Sequence, residues 1–353
     1  MNQTLTISNF LEQTGARARI FDMGRRVVEI PSDTLRRFES AELPYPQPFQ
    51  RHAWLGILFH RDSSQGEPVD HHIWFVKLAL DEQGLLQQAA RDDFLRRIAE
   101  TLTSGDKADQ QQKMDDNPHG FTPREDHMAV FHAKVSQQLG AAPSQYFAHA
   151  VDYFCGKPGF EQWNFVGLQG IADVVVRRAE THRGQTLQQT LISAIPQLPD
   201  TPLAALCTCL ENEAIDTDLG QAMARRLEVA LNDNNTILVA AIVRGLSCSE
   251  NKETLNKAIQ TVLDHSVGND VEVLAAIAGR AWETLTNDNL RRNFLENLAH
   301  CATGQQAFNG IIADLLFMPG LRQPLLEDFR NPQRSETLDT AINEFLPSKQ
   351  STD

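Results

Sequence analysis

From about residue 163 onward, apolar side chains recur in sets at i, i+3, i+4 and i+7, the stripe that one face of an α-helix presents. The sets are Leu168, Ile171, Ala172, Val175; Leu203, Leu206, Cys207, Leu210; Val239, Ile242, Val243, Leu246; Leu274, Ile277, Ala278, Ala281; and Phe308, Ile311, Ile312, Leu315. Their starting positions lie 35, 36, 35 and 34 residues apart (203−168, 239−203, 274−239, 308−274). Between the first two apolar positions of each set sits a small or polar pair, such as Ala204-Ala205, Ala240-Ala241 or Ala275-Ala276, which lets helices approach closely. A second set with spacing i, i+4, i+8 follows each first one: Leu187, Leu191, Ile195; Leu219, Met223, Leu227; Leu255, Ile259, Leu263; Leu290, Phe294, Leu298; Leu321, Leu325, Phe329. In the three middle units the second set begins 16 residues after the first (219−203, 255−239, 290−274). The pattern predicts five two-helix units over 163–330. Each cannot bury its apolar face alone and is expected to stack on the next. Pro324 falls inside the last second helix, and Ser335–Leu346 reads as a closing helix.

The first hundred residues have a different rhythm. Ser8–Gln13 reads as a short helical turn ending at Gly15, and Arg17–Asp22 and Arg25–Ile30 flank Met23-Gly24 as a compact β-hairpin. Pro44, Pro46 and Pro48 interrupt regular structure before two further strand candidates, His52–His60 and His71–Leu80, with a polar loop over 61–70. Leu85, Leu86, Ala89, Ala90, Phe94, Ile98 and Leu102 follow helical spacing and are expected to cover one face of this sheet. The expected organisation is a small α+β domain over 1–102, a polar linker or long loop over 103–121, a helical repeat domain over 122–347 and a disordered tail over 348–353. Thr122-Pro123-Arg124-Glu125 reads as a helix start with Thr122 as cap, and no strand is expected beyond it.

The fold class is thus mainly α, a small N-terminal α/β domain with antiparallel strands followed by stacked helix pairs. Those pairs resemble the HEAT-like and armadillo-like α-solenoids. Over its full length the chain also resembles an uncharacterised bacterial family, a domain of unknown function. The strings carrying that resemblance are Phe21-Asp22-Met23-Gly24-Arg25-Arg26, Asn117-Pro118-His119-Gly120-Phe121-Thr122-Pro123, and Glu125-Asp126 with Met128-Ala129-Val130-Phe131-His132-Ala133. It implies a bacterial cytosolic setting and transfers no activity and no site residue.

Composition narrows the function classes. With 41% apolar and 22% charged residues, the chain has globular usage. A formal charge of −14 would repel a phosphate backbone, so nucleic acid is disfavoured as a partner, as is an acidic membrane. No apolar run is long enough to span a bilayer, and the start carries no export signal. Five cysteines without framework spacing fit a reducing cytoplasm.

Candidate chemistry is sparse. His71-His72 point to opposite faces of a strand, and His127 and His132 lack the i, i+4 spacing that places two zinc ligands on one helical face. Cys207-Thr208-Cys209 puts Cys207 on the apolar stripe, and the adjacent side chains of His300-Cys301 diverge on a helix. No phosphate-cradling glycine loop or nucleophile elbow occurs. No metal, cofactor or catalytic residue is therefore expected, and no enzyme. Arg outnumbers Lys 24 to 8 and often occurs in pairs. The pairs Arg225-Arg226 and Arg291-Arg292 fall on corresponding second helices, the helices that commonly line the concave side of HEAT-like arrays. They are the candidate partner-binding residues, set against the alternative that they pair with acids such as Glu228 and Glu296 and hold the stack together. The expected function is a non-enzymatic cytoplasmic adaptor or scaffold that binds a protein partner. The alternative is a HEAT-like protein that binds nucleic acid or excises bases, which would need a basic concave face and buried aromatic or acidic groups around a base; Trp282 and Asp314 lie in the array, but nothing in the sequence places them together.

Overall fold

The computed structural model describes residues 6–13, 17–60, 71–103 and 117–346. The loop expected over 61–70, most of the expected linker (104–116) and the expected tail lie outside the described residues. The chain divides into two compact units, one formed by residues 1–128 with Phe317–Pro319 and one by the remainder.

In the first unit, α1 (Ile7–Gln13) precedes β1 (Arg17–Asp22), β2 (Val28–Glu29), α2 (Ser32–Glu39), β3 (His52–His60), β4 (His71–Ala79) and α3 (Gln88–Thr103). The four strands form one sheet in the order β2-β1-β3-β4, antiparallel throughout. Alternation explains which face is covered. Ala53, Leu55 and Ile57 on β3 pair with Leu78, Val76 and Trp74 on β4, and all six are buried in one core. Phe94 and Ile98 of α3 join that core, as the helical spacing required, and so do Leu95 of the same helix and Leu35 and Phe38 of α2, a helix not expected from the sequence.

Two local details differ from expectation. The β1–β2 pairing starts at Asp22↔Val28, so the turn is the five-residue loop Met23–Val27 instead of a tight Met23-Gly24 turn. Asp22 Oδ1 accepts from the Gly24 amide at 2.6 Å, and the Met23 amide donates to the Trp54 carbonyl at 2.8 Å. These bonds draw the loop inward before the second strand can begin. The second difference lies at 119–121, inside the stretch read as polar linker. The Lys77 amide donates to His119 O and the Phe121 amide to Phe75 O, with Val76 bridging Gly120. The segment therefore covers the outer edge of β4, whose amides and carbonyls would otherwise be an open template. Residues 121–124 are not helical, and the next helix, α4 (Glu125–Gln138), begins two residues after the Pro123 start that the capping signal suggested.

The second unit is helical apart from a two-stranded ribbon, β5 (Thr181–His182) with β6 (Gln185–Thr186), which corrects the expectation of no strand beyond Glu125. Its helices after α4 are α5 (Phe147–Phe154), α6 (Leu168–Val176), α7 (Leu187–Ala194), α8 (Asp200–Leu210), α9 (Thr217–Asn232), α10 (Thr236–Leu246), α11 (Lys252–Leu263), α12 (Val271–Arg280), α13 (Asp288–Ala299), α14 (Gln305–Leu315), α15 (Arg322–Asp328) and α16 (Glu336–Phe345). The five apolar sets of the first kind fall on α6, α8, α10, α12 and α14, with Ala281 one residue past the end of α12, and those of the second kind fall on or at the ends of α7, α9, α11, α13 and α15.

Local chemistry explains the boundaries. Asp216, Asn235, Asn251, Asp270 and Asn287 each accept from an amide in the first turn of α9, α10, α11, α12 and α13, and Thr186 forms a reciprocal capping box with Gln189. Pro324 falls in the first turn of α15, where its missing amide proton costs no intrahelical bond. In the packing, α10 lies between α8 and α12, while α11 packs with α9 and α13. Close approach depends on small residues: a Cβ on Gly245 would come within 3.0 Å of Cys207 Sγ, and one on Gly170 within 2.7 Å of the Tyr146 carbonyl. The closing helix α16 packs on α13 and α14, with Phe345 against Phe308 and Phe329.

Candidate functional site

The four arginines singled out in the sequence occupy distinct environments. Arg291 is only 2% exposed; its Nε reaches Asp328 at 2.6 Å, its Nη2 reaches Asp288 at 2.9 Å, and its Nη1 donates to the Leu285 carbonyl. Expected on an open face, its guanidinium is instead enclosed, because the α13–α15 contact supplies it with a buried carboxylate. Arg292 is exposed and shares Asp328 at 3.0 Å. Arg226 is mostly covered and pairs with Asp200 at the start of α8, at 3.1 Å. The acids weighed as partners have other roles: Glu296 accepts from the Ser335 amide and hydroxyl and so fixes the start of α16, and no ion pair involving Glu228 is present among the described residues.

Arg225 stands apart. It is exposed on α9, and no ion pair or hydrogen bond engages its guanidinium among the described residues. It lines two grooves. One, of about 240 Å³, lies between α9 and α11, with Ala224, Leu227, Leu231 and Ala258 as its apolar lining. The other, of about 330 Å³, lies between α7 and α9, beside Ile192, Ser193 and Asp218. The hollow at Arg291 and Arg292 is different in kind, since Asp288, Glu327 and Asp328 line it too and its cations are already matched.

A second cluster of charge lies at the ends of the first helices and is structural. Glu211, 1% exposed, accepts from Arg280 Nε at 2.9 Å and faces Arg244 Nε at 3.8 Å, linking α8 to α10 and α12. Lys134 and Arg178 both reach Glu213 at 2.6 Å, linking α4 and α6 to the end of α8.

The first unit holds a buried polar group that the sequence flagged only through its resemblance strings. Phe21 to Val27 is buried throughout. Arg25 donates from Nε to the Pro48 carbonyl at 2.7 Å and lies over the Phe49 ring. His127 Nδ1 lies 2.9 Å from the Met23 carbonyl, and Phe121 packs edge-on against Trp54 with centroids 4.8 Å apart. Residues 21–26 and Phe121, from the first two strings, thus meet at Trp54, through the Met23 amide and the Phe121 ring. Within the first string, burial pushes the Asp22 carboxyl up to about 7 despite the opposing pull of the Gly24 and Arg25 amides, the Arg25 charge and the nearby Tyr45 hydroxyl. Burial, and then Asp22, push the Tyr45 hydroxyl well above its ordinary value. Neither Asp22 Oδ2 nor Tyr45 Oη has a well-formed hydrogen bond among the described residues.

The remaining candidates stay apart. His132 is exposed whereas His127 is buried, His72 stacks on Phe59, and burial pushes the Cys207 thiol well up, away from the reactive thiolate. Cys301 is buried while the His300 ring turns back to the Glu296 carbonyl, and Trp282 is buried in the helical core. No group of three or more His, Cys, Asp or Glu side chains that could hold a metal ion is present among the described residues, and none of their helices is long and apolar enough to cross a membrane.

These features define a mainly helical protein with a small N-terminal antiparallel sheet. The chain belongs to the family described as Protein of unknown function (DUF3549), whose model matches residues 2–346. No curated protein and no solved structure matches it.

Proposed function

We propose that this chain is a non-enzymatic protein-binding adaptor or scaffold of the bacterial cytoplasm, built on a HEAT-like α-solenoid formed by the helix pairs of the second unit. The reading is supported by the order of packing, in which first helices neighbour first helices and second helices neighbour second helices, as a stacked array requires. The single observation that carries the docking role is Arg225, an exposed guanidinium without an ion pair among the described residues, set between two adjoining grooves on the second helices. Arginine in such a position is a strong anchor, because its planar fork matches a carboxylate and its stem covers apolar surface. The acidic chain as a whole favours a basic or mixed-charge protein as the partner.

The experiment compares affinity purification of the tagged full chain with that of Arg225→Glu, with melting temperature recorded for both. Loss of a specific co-purifying protein at unchanged melting temperature is the expected result. An identical set of co-purifying proteins from both chains would remove Arg225 and its grooves from the docking surface.

A further inference from the structure

The groove between α9 and α11 has a chemistry that specifies its occupant, given the docking role proposed above for Arg225, on which that occupancy rests. Elsewhere in the second unit most cations are spent: Arg226 on Asp200, Arg244 and Arg280 on Glu211, Lys252 on Glu283, Arg291 and Arg292 on Asp328. Arg225 on α9 and Lys257 on α11 line this one groove, both exposed and both without an ion pair among the described residues. Between them lie Ala224, Leu227, Leu231 and Ala258, and the two alanines keep the groove open where larger side chains would fill it. Glu228 is the acid in the lining, leaving one net positive charge around an apolar floor. A groove of about 240 Å³ is below the usual range for cofactor and drug-sized sites, but it accommodates an apolar side chain.

We infer that this groove takes a short segment of a partner protein in which an apolar side chain is flanked by carboxylates. The apolar side chain would sit on the alanine and leucine floor, with its neighbouring carboxylates reaching Arg225 on one side and Lys257 on the other. Glu228 gives such a segment its polarity, since it repels a carboxylate and accepts a basic residue at that point. A long polyanion fits poorly, because the chain carries a formal charge of −14 and would repel charges lying beyond the groove. A short acidic segment of a mixed-charge partner avoids that penalty.

The test immobilises the full chain and screens it with a displayed library of random peptides about 12 residues long, which spans the groove at about 3.3 Å per residue when extended. A fluorescein-labelled single-stranded RNA serves as a second probe. Enriched peptides should carry Asp or Glu within two positions of Leu, Ile, Val or Met. A synthetic representative should weaken about tenfold or more on the Arg225→Glu/Lys257→Glu chain, lose affinity when its own acids become amides, and bind less tightly as salt rises. Arg225→Lys/Lys257→Arg should retain binding, and both double variants should melt with the wild type because the altered side chains are exposed. Enriched peptides without acids, full binding by the charge-reversed chain, or RNA binding abolished by the same reversal would each overturn the inference. If Arg225→Glu loses a co-purifying protein yet no acid-flanked peptide is enriched, the segment class falls and the docking role stands. If neither occurs, both fall.

Discussion

Replacing Asp22 by asparagine isolates the contribution of a buried carboxyl to stability. The side chain is 1% exposed, and its carboxyl titrates near 7 in the folded chain against an ordinary value of 3.8. The folded protein therefore keeps a proton that the unfolded chain releases between those values. Stability contributed by Asp22 is fully present below about pH 4, falls as pH rises toward 7, and levels off above it. At about 1.4 kcal/mol per pH unit, the full effect is about 4 kcal/mol, of which about 2–3 kcal/mol falls between pH 5 and pH 8. The Asp22→Asn side chain preserves an oxygen for the Gly24 amide and cannot ionise, so the variant's unfolding free energy should lack this decline. The assay is urea unfolding of the full chain at both pH values. Fluorescence of Trp54 and Trp74 reports the first unit once Trp163 and Trp282 are changed to Phe in both chains. The expected result is a wild-type minus variant difference that becomes less favourable to wild type by about 2–3 kcal/mol on going from pH 5 to pH 8. A difference that moves the other way would show that the Arg25 charge holds Asp22 ionised and would refute the reasoning.

Ile242, fully buried on α10, should cost about 2–5 kcal/mol when changed to Ala, read by calorimetry; an unchanged transition would mean that α10 does not pack through this face. Arg291→Ala should destabilise by about 3–5 kcal/mol because it leaves Asp328 enclosed without its main partner, whereas Arg292→Ala should change the melting temperature little. Equal effects of the two would contradict their different placement. Duplex DNA should not bind appreciably near physiological salt by fluorescence titration, given the charge of −14; micromolar binding that weakens steeply with salt would restore the nucleic-acid alternative.

Repetition made the helical unit legible. The i, i+3, i+4, i+7 sets, which recur with a period of 34 to 36 residues, fall on α6, α8, α10, α12 and α14, because an apolar stripe with helical spacing is buried most simply as one face of a helix. The recurring caps at Asp216, Asn251 and Asn287 carried the same period and would have fixed the starts of α9, α11 and α13. The details that escaped depend on contacts distant in sequence. The loop Met23–Val27 is drawn in by Trp54 and Pro48, and His119–Phe121 is held by β4; neither interaction is encoded within a local window. Arg291 and Arg225 show the same limit at the candidate site. Both follow an apolar position on a second helix or lie beside one, yet Asp328, 37 residues further on, encloses the first, and no carboxylate meets the second among the described residues.

Site-specific photo-crosslinking inside cells tests the docking surface most directly. A benzophenone side chain is placed at Gln221, which lines both grooves beside Arg225, and in a separate chain at the exposed Gln306 on α14. A docking role for the grooves predicts a discrete protein adduct from position 221, absent from position 306 and lost when Arg225→Glu is added. No adduct from 221, or the same adducts from both positions, would contradict it.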